Sequence, residues 1–245
     1  MSRKSKLDHI DTSEYQGKKY IEFDFYGTCV HRPESFWGWE KLSTYKELRR
    51  EVSRNLWKVP DKKITDTAKE LFKILQTQEV NLEKPIKLSN WTEILLSKKF
   101  INKIRDDMAW VLSYKDFVWI APELKKRWKI LGVLSNLWEL YSEPLINGTI
   151  PEWTFEHKTL SFKVWAMKPD PKIFEYAKES IEWADYGDIV FVGDNLKLDI
   201  EWAWNVWMKP IHIDRKYKWP PENKEINWIK YIRISTLSDL LKILN

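Results

Sequence analysis

The sequence predicts an α/β protein with a parallel sheet and an inserted helical segment, and three observations support this fold class. A β-prone apolar run at 19–25 is followed by Gly27-Thr28, which indicates a strand and then a turn. From about residue 34 to 114, apolar residues recur at helical spacing. Beyond this segment helices and strands alternate, which is typical of a parallel sheet with helices on both faces.

The individual elements follow from the same patterns. The helical segment is marked by apolar residues in three groups: Leu48, Val52 and Leu56; Ala68, Leu71, Phe72 and Leu75; Ile94, Leu95, Phe100, Ile101, Ile104, Met108 and Val111. Further strands are predicted at 129–134, 189–192, 211–213 and 231–234, and helices at 121–127, 171–183, from about 198, and at 237–244. The last helix opens with a capping pattern formed by Thr236 and Asp239. We therefore expect a core of residues 1–33 and 115–245, with residues 34–114 as a helical insertion.

The composition narrows the class of protein. With 43% apolar and 31% charged residues in 245, the chain has the composition of a globular protein, and no run approaches the roughly 18 apolar residues of a membrane span. The basic start leads into Leu7-Asp8-His9 and not into an apolar stretch, so no secretory signal is expected. Cys29 is the only cysteine, which excludes an internal disulfide, and the four histidines are too scattered to suggest a zinc site. A cytoplasmic location and no membrane partner are expected.

The formal charge of +5 raises the question of which binding partners the chain has. Lysines are interspersed with glutamates along the predicted helices, as on an ordinary solvated surface. Because the sequence has no dense basic block and no nucleic-acid-binding motif, nucleic acid is not an expected partner. A small anionic substrate accounts equally well for the charge, whereas nothing in the pattern indicates the oligomeric state.

Tryptophan and glycine are abnormal in opposite directions. The chain has 16 tryptophans and 7 glycines, whereas about 7% glycine, or roughly 17 residues, is usual for this length. Trp128 stands between a predicted helix and a predicted strand, where a left-handed residue, commonly glycine, ends a helix. One hypothesis is that many of these positions are glycine in the native protein, because a UGA codon read as glycine in its source was translated as tryptophan. The alternative is a protein genuinely rich in tryptophan.

Polar residues follow three of the predicted strands, and a lysine precedes a predicted helix. The groups are Asp24 with Thr28, Ser135 with Asn136, Asp194 with Asp199, and Lys168 before Pro169. In parallel sheets, ligands bind outside the carboxyl ends of the strands, so these groups are candidates for one site. Each group also has a structural explanation, as a turn former, a helix cap or a solvated lysine. The ordered occurrence of all four favours a site.

The residue types suit attack by a carboxylate. Asp24 could attack phosphorus or an activated carbon and form a covalent aspartyl intermediate that water later cleaves. A magnesium ion would offset the repulsion between a phosphate and Asp24 by binding Asp24, Asp194 and the backbone carbonyl of Tyr26. Asp199 is expected next to these ligands without binding the metal itself.

The phosphoryl oxygens also need hydrogen-bond donors. The hydroxyl of Ser135, the backbone N–H of Asn136 and the ammonium of Lys168 are the candidate donors. Thr28, in the turn after Asp24, is a further candidate for binding the phosphate.

The ordered set resembles the haloacid dehalogenase superfamily over nearly the whole chain. The matching motifs are Asp24-Phe-Tyr-Gly-Thr, Val133-Leu134-Ser135-Asn136, Lys168-Pro169-Asp170 and Gly193-Asp194 with Asp199. The resemblance implies a Rossmann-like core with a helical cap between the first and second motifs, which closes over the substrate. It also implies catalytic roles for Asp24, Tyr26 and Lys168. Four tryptophans stand where this family commonly carries glycine: Trp128, Trp165, Trp202 and Trp207.

Two positions point to different activities within the superfamily. Its phosphatases usually carry a second aspartate two residues after the nucleophile, but this chain has Tyr26, whose ordinary pKa of about 10 makes it a poor base. Asp24-x-Tyr26-Gly-Thr looks like the first motif of the 2-haloacid dehalogenases, which need no metal. Asp194, in contrast, looks like the metal ligand of the magnesium-dependent phosphatases.

The sequence therefore combines a dehalogenase-like first motif with a phosphatase-like fourth motif. We predict a magnesium-dependent phosphatase that acts on a small phosphorylated metabolite. Tyr26 favours slow turnover of simple esters or good leaving groups such as acyl phosphates. A metal-independent 2-haloacid dehalogenase and a phosphate-binding protein with little catalysis are the alternatives.

Overall fold

The computed structural model describes residues 10–31, 44–57, 59–146 and 148–245. Its strands are β1 (Tyr20–Phe23), β2 (Val30–His31), β3 (Ile86–Lys87), β4 (Glu93–Ile94), β5 (Leu112–Ser113), β6 (Ile130–Ser135), β7 (His157–Leu160), β8 (Ile189–Gly193), β9 (Lys209–Ile213), β10 (Glu222–Ile226) and β11 (Ile229–Ile234). Its α-helices are α1 (Thr44–Asn55), α2 (Asp61–Thr77), α3 (Lys98–Ala109), α4 (Lys115–Lys126), α5 (Glu143–Ile146), α6 (Ser161–Val164), α7 (Pro171–Glu179), α8 (Trp202–Asn205) and α9 (Leu240–Ile243). No helix in these ranges has both the length and the hydrophobicity of a membrane span.

Seven strands form one sheet in the order β10-β11-β9-β8-β1-β6-β7. The central strand β1 is parallel to β6 and β8, and Phe23 lies opposite Val133 on one side and Val192 on the other. The pairs β6–β7, β8–β9 and β9–β11 are also parallel, and only the edge hairpin β10–β11 is antiparallel. The predicted α/β class with a parallel sheet is confirmed.

Helices cover both faces of the sheet because its central strands carry mostly apolar residues on both faces, with the buried Glu22 of β1 as an exception. On one face, the fully buried ring of Phe23 meets Phe117 of α4 edge to face, with ring centroids 5.7 Å apart. On the opposite face, Phe191 of β8 packs against Phe174 of α7 at 5.8 Å. This two-sided burial is typical of parallel sheets.

The helical segment contains α1, α2 and α3, and its predicted apolar positions are largely buried. The buried set is Leu48, Val52, Ala68, Leu71, Leu75, Phe100, Ile101, Ile104 and Met108. The helical prediction is wrong at Ile94, which pairs with Ile86 in the antiparallel hairpin of β3 and β4. It is also wrong at Leu95, which follows β4, and at Val111, which follows α3. Burial alternates at the hairpin, with Ile94 buried and Leu95 exposed, and this period of two belongs to a strand.

Other boundaries differ from the sequence predictions. The strands β7 and β10 were not predicted, and β10 is polar and lies at the edge of the sheet. The helix predicted at 171–183 ends at Glu179. The helix predicted at 237–244 begins with a 3-10 turn, Leu237–Asp239, and Thr236 caps it by accepting a hydrogen bond from the Ser238 N–H.

A short antiparallel ribbon, β2 with β5, joins the two ends of the helical segment to the sheet. Val30 pairs with Ser113, and the backbone N–H of Tyr114 donates to the Cys29 carbonyl at 3.0 Å. The predicted boundary at residue 34 lies outside the described residues. The ribbon begins only a few residues after Asp24, so both connections run beside the carboxyl end of β1.

Candidate active site

The candidate site lies where the carboxyl ends of β1, β6 and β8 meet. Asp24 directly follows β1, Ser135 ends β6, and Asp194 directly follows β8. The parallel pairing of these strands brings carboxylate oxygens of Asp24, Asp194 and Asp199 within 4.8 Å of one another. The three strand ends at which the sequence has these polar residues are therefore adjacent in space.

Asp24 is held by two donors that use the same oxygen. Its Oδ1 accepts from the Ser135 hydroxyl at 2.9 Å and from the Lys168 ammonium at 2.6 Å. Its backbone N–H donates to the Val192 carbonyl at 2.9 Å, which continues the β1–β8 ladder. Burial and the Asp199 charge raise the pKa of Asp24, whereas Lys168 and Ser135 lower it, and the result lies above the ordinary value.

Lys168 is a buried cation between two carboxylates. Its Nζ is 2.6 Å from Asp24 Oδ1 and 2.6 Å from Asp199 Oδ1, and the side chain is 3% exposed. Burial by itself lowers the pKa of an ammonium, but Asp199 and Asp24 raise the pKa of Lys168 above its usual range. Lys168 therefore stays protonated and neutralises part of the charge of the cluster.

The side chain of Asn136 holds the backbone of Lys168. Asn136 Nδ2 donates to the Lys168 carbonyl at 2.8 Å, and Asn136 Oδ1 accepts from the Lys168 N–H at 2.7 Å. This paired contact fixes the peptide that carries the ammonium. The side-chain amide thus positions Lys168, and only the backbone N–H of Asn136 stays a candidate for binding phosphate.

Asp194 lies against the turn that follows Asp24. Gly27 has φ +84°, and a Cβ built on it would lie 2.2 Å from Asp194 Oδ2, so glycine is needed there for both conformation and space. A Cβ on Gly193 would meet Asp199 at 2.5 Å, so the second glycine also makes room for a carboxylate.

The carboxylate of Asp194 is electrostatically crowded even though the residue as a whole is exposed. Burial of the carboxyl group, together with the charges of Asp24 and Asp199, raises the pKa of Asp194 to about 7. Asp199 is fully buried and accepts from the Asn195 N–H at 2.9 Å as well as from Lys168. One ammonium thus pairs with two of the three clustered carboxylates, those of Asp24 and Asp199.

Tyr26 contacts the helical segment. Its hydroxyl lies 3.1 Å from the Tyr141 carbonyl oxygen and 3.1 Å from Sδ of Met108, which belongs to α3. The ring also packs edge to face on the Tyr141 ring, with centroids 6.0 Å apart. The side chain two residues after Asp24 therefore forms a contact between the sheet core and the helical segment.

Thr28 and Arg215 form a contact that the sequence did not indicate. Thr28 is fully buried, and its carbonyl accepts from the Arg215 guanidinium at 2.6 Å. Arg215 also pairs with Asp116 and lies 3.8 Å from the ring centroid of Tyr114, in the connection after β5. Arg215 thus joins the Asp24 turn to the ribbon that leads to the helical segment.

His212 is a second residue that the sequence did not single out. It lies on β9, is 7% exposed, and its Nε2 is 3.1 Å from the Asp194 carbonyl oxygen. Burial lowers its pKa, although the Asp194 carbonyl opposes this effect. Its only sequence signal is a polar side chain near the end of an otherwise apolar strand.

The donor set fits a hard divalent cation. Asp24, Asp194 and Asp199 offer only oxygen ligands, which Mg²⁺ prefers. Burial and, after it, the charges of Asp24 and Asp199 raise the pKa of Asp194, and the Lys168 ammonium only partly opposes them. A cation beside Asp194 and Asp24 would offset these charges further.

Comparison with known proteins supports the same architecture. No family model matches the sequence, and neither does the sequence of any curated protein. A HAD phosphatase from Thermococcus onnurineus is 22% identical with a TM-score of 0.58, over 92% of this chain and 97% of that one. The HAD-hydrolase YfnB from Bacillus subtilis, bound to magnesium, is 15% identical with a TM-score of 0.57, over 93% and 98%. A dehalogenase with an intermediate complex is 17% identical with a TM-score of 0.60, over 94% and 98%. At these identities the likeness concerns the fold, and the chain has the fold of the haloacid dehalogenase superfamily.

Proposed function

We propose that the protein is a magnesium-dependent phosphohydrolase that acts on a small phosphorylated metabolite through a covalent intermediate on Asp24. The observation that carries this proposal is the position of Asp194 beside Asp24 and Asp199, with Lys168 as the only buried cation among the described residues around them. Three carboxylates and one ammonium suit a site that receives a divalent cation together with a phosphate.

The hydrogen bonds of Asp24 support its role as nucleophile. Because Ser135 and Lys168 both donate to Oδ1, Oδ2 is the candidate attacking oxygen. Its attack forms an Oδ2–phosphorus bond and breaks the bond from phosphorus to the leaving-group oxygen, which departs with the electron pair. Water then adds to phosphorus, the Oδ2–phosphorus bond breaks, and phosphate and a proton are released.

Asp24, Asp194 and the backbone carbonyl of Tyr26 are the proposed ligands of Mg²⁺. Asp199 lies behind them, where it holds Lys168 by an ion pair. When bound, the metal supplies positive charge beside the phosphoryl oxygens. Ser135, Lys168 and the backbone N–H of Asn136 orient those oxygens.

The environment of Tyr26 limits which leaving groups the site can release. The contacts of its hydroxyl are to Tyr141 and Met108, and a phenol of ordinary pKa about 10 protonates a leaving oxygen poorly. Good leaving groups such as acyl phosphates need no such proton. We propose that these are the preferred substrates, and that residues 34–114 act as a cap that closes over them.

Metal-independent dehalogenation is the second candidate function, and Tyr26 is the observation that favours it. Asp24 would then attack carbon and release halide without protonation of the leaving group. The dehalogenase structure with the TM-score of 0.60 has the same fold. Against this function, a carboxylate oxygen of Asp194 lies within 4.8 Å of the Asp24 carboxylate, and this additional negative charge would repel a haloacid carboxylate.

A release assay separates the candidates. Phosphate and halide are measured from panels of acyl phosphates, phosphate esters and 2-haloacids, with Mg²⁺ or with EDTA. Phosphate release that requires Mg²⁺ and is lost in Asp24→Asn supports the proposal, and Asp170→Asn, which alters a helix-capping residue of the Lys168 loop, is the matched control. Halide release that EDTA leaves unchanged would replace the proposal with dehalogenation. Stabilisation by phosphate without any turnover would indicate a binding protein.

A further inference from the structure

Six tryptophans have a left-handed backbone. They are Trp91, Trp128, Trp165, Trp183, Trp207 and Trp228, with φ between 59° and 68°. Among the described residues, Asn227 is the only other non-glycine residue with positive φ. A Cβ makes this region costly, and a bulky side chain rarely occupies it, whereas glycine enters it freely.

Three of these tryptophans follow a helix in the left-handed conformation that favours glycine: Trp128 after α4, Trp165 after α6 and Trp207 after α8. Trp128 and Trp207 share one hydrogen-bonded motif. After α4, the Trp128 N–H donates to the Lys125 carbonyl at 2.9 Å, and the Lys129 N–H donates to the Leu124 carbonyl at 3.1 Å. This pair of bonds is the Schellman motif, whose left-handed residue is usually glycine. The same two bonds end α8 at Trp207, both at 2.9 Å.

Trp228 occupies a hairpin turn that also requires positive φ. The β10–β11 hairpin pairs Ile226 with Ile229, so its loop is the dipeptide Asn227-Trp228. Their φ values are 51° and 68°, as in a type I′ turn. Asn-Gly is the preferred sequence for that turn, and tryptophan takes the place of its glycine.

Trp91 takes the equivalent place in the other hairpin. The Leu88 N–H donates to the Thr92 carbonyl at 2.8 Å, and the Trp91 N–H donates to the Leu88 carbonyl at 3.1 Å. These bonds close a three-residue loop whose last residue has φ 64°. Such loops favour glycine at the left-handed position.

Burial of the side chain does not compensate for the backbone strain at these positions. All six side chains are exposed, from 73% at Trp165 to 97% at Trp183. Trp138 is the contrast, since it is 2% exposed, packs on the Tyr141 ring at 5.2 Å and has φ −106°. The anomaly therefore concerns these six positions and not tryptophan as such.

We infer that glycine is the native residue at these six positions, each encoded by a UGA codon that the source organism translates as glycine. The inference is independent of the proposed function, because none of the six residues belongs to the Asp24 site. It also means that the exposed indoles do not form a binding surface. The same replacement accounts for the strained turns and for part of the excess of tryptophan and of the deficit of glycine.

Stability measurements on single variants test the conformational part of the inference. Trp128→Gly, Trp207→Gly and Trp228→Gly should each raise Tm by about 2–4 °C, because each relieves a left-handed β-carbon. Trp128→Asn should give part of the gain, since asparagine tolerates this region, and Trp128→Ala should give little. Trp119→Gly is the matched control, an exposed tryptophan inside α4, and should lower Tm. Equal gains for Gly and Ala at 128 would overturn the conformational argument.

The gene and the native protein test the coding part. TGA at all six codons, and glycine in the corresponding peptides by mass spectrometry of protein from the native source, are the expected results. TGG codons, or tryptophan in those native peptides, would overturn the inference whatever the stability data.

Discussion

The two sides of Asp24 are built differently. On one side lies the charged cluster, which consists of Asp24, Lys168, Asp194 and Asp199. Ion pairs with Lys168 hold Asp24 and Asp199 at the sheet edge. On the other side the Tyr26 hydroxyl contacts Tyr141 and Met108 and so reaches the helical segment. In the proposed function, this cluster holds the nucleophile, the cation and the phosphate. The Tyr26 side presents a phenol two residues after Asp24, so in the proposed reaction the attack on phosphorus and the release of the leaving group depend on different parts of the fold.

Within the charged cluster, removal of the buried ammonium should lower the stability of the protein the most. Lys168→Met leaves two buried carboxylates without their shared cation, which should cost about 3–5 kcal/mol of unfolding free energy. Urea unfolding in the absence of metal measures the loss, and Lys163→Met, an exposed lysine on α6, is the control. Adding Asp199→Asn should recover part of the loss, because one of the two unpaired charges is gone. Additive effects of the two substitutions would contradict the ion pair.

Asp194→Asn tests the proposed binding of Mg²⁺ by the cluster. Mg²⁺ should raise the Tm of the unsubstituted protein, and this rise should be absent in the variant. The pKa of Asp194 in the folded protein, about 7, lies above its ordinary value, so the folded state retains a proton that the unfolded state loses. Stability of the metal-free parent should therefore fall as pH rises from about 4 to 7, and Asp194→Asn should flatten this slope. Thermal unfolding from pH 5 to 8, with Mg²⁺ and with EDTA, measures both effects. An unchanged Mg²⁺ response would remove Asp194 from the metal site.

Substitution of Tyr26 tests the other side of the comparison. Tyr26→Asp should speed hydrolysis of phosphate esters with poor leaving groups by about tenfold or more, because a carboxylic acid can protonate the departing oxygen. Acyl phosphates should gain little. Tyr26→Phe, the control, should leave the ratio of the two rates unchanged and cost about 1 kcal/mol of stability through the lost hydrogen bond. If Tyr26→Asp leaves ester hydrolysis unchanged, the account of this position is wrong.

The difference between the charged cluster and the Tyr26 side also explains which features of the site could be predicted from the sequence. Asp24 and Asp194 follow apolar strands and Ser135 ends one, and parallel pairing brings such strand ends together. Local sequence patterns were therefore enough to predict that these residues lie close in space. The direction of the Tyr26 side chain was not predictable, because it depends on packing against α3. The contact of Arg215 with Thr28 spans 187 residues and has no local signature. The hairpin at Ile86–Ile94 was missed because its few apolar residues also fit helical spacing.

The most direct test of the central claim is to trap the covalent intermediate. The protein with Mg²⁺ is mixed with a radiolabelled acyl phosphate, quenched in acid within milliseconds, and digested for peptide mapping. We predict a label on the peptide that contains Asp24, at a site that hydroxylamine cleaves, and no label in Asp24→Asn. Phosphate release at the normal rate without this label, or with the label on another residue, would contradict the assignment of Asp24 as the nucleophile.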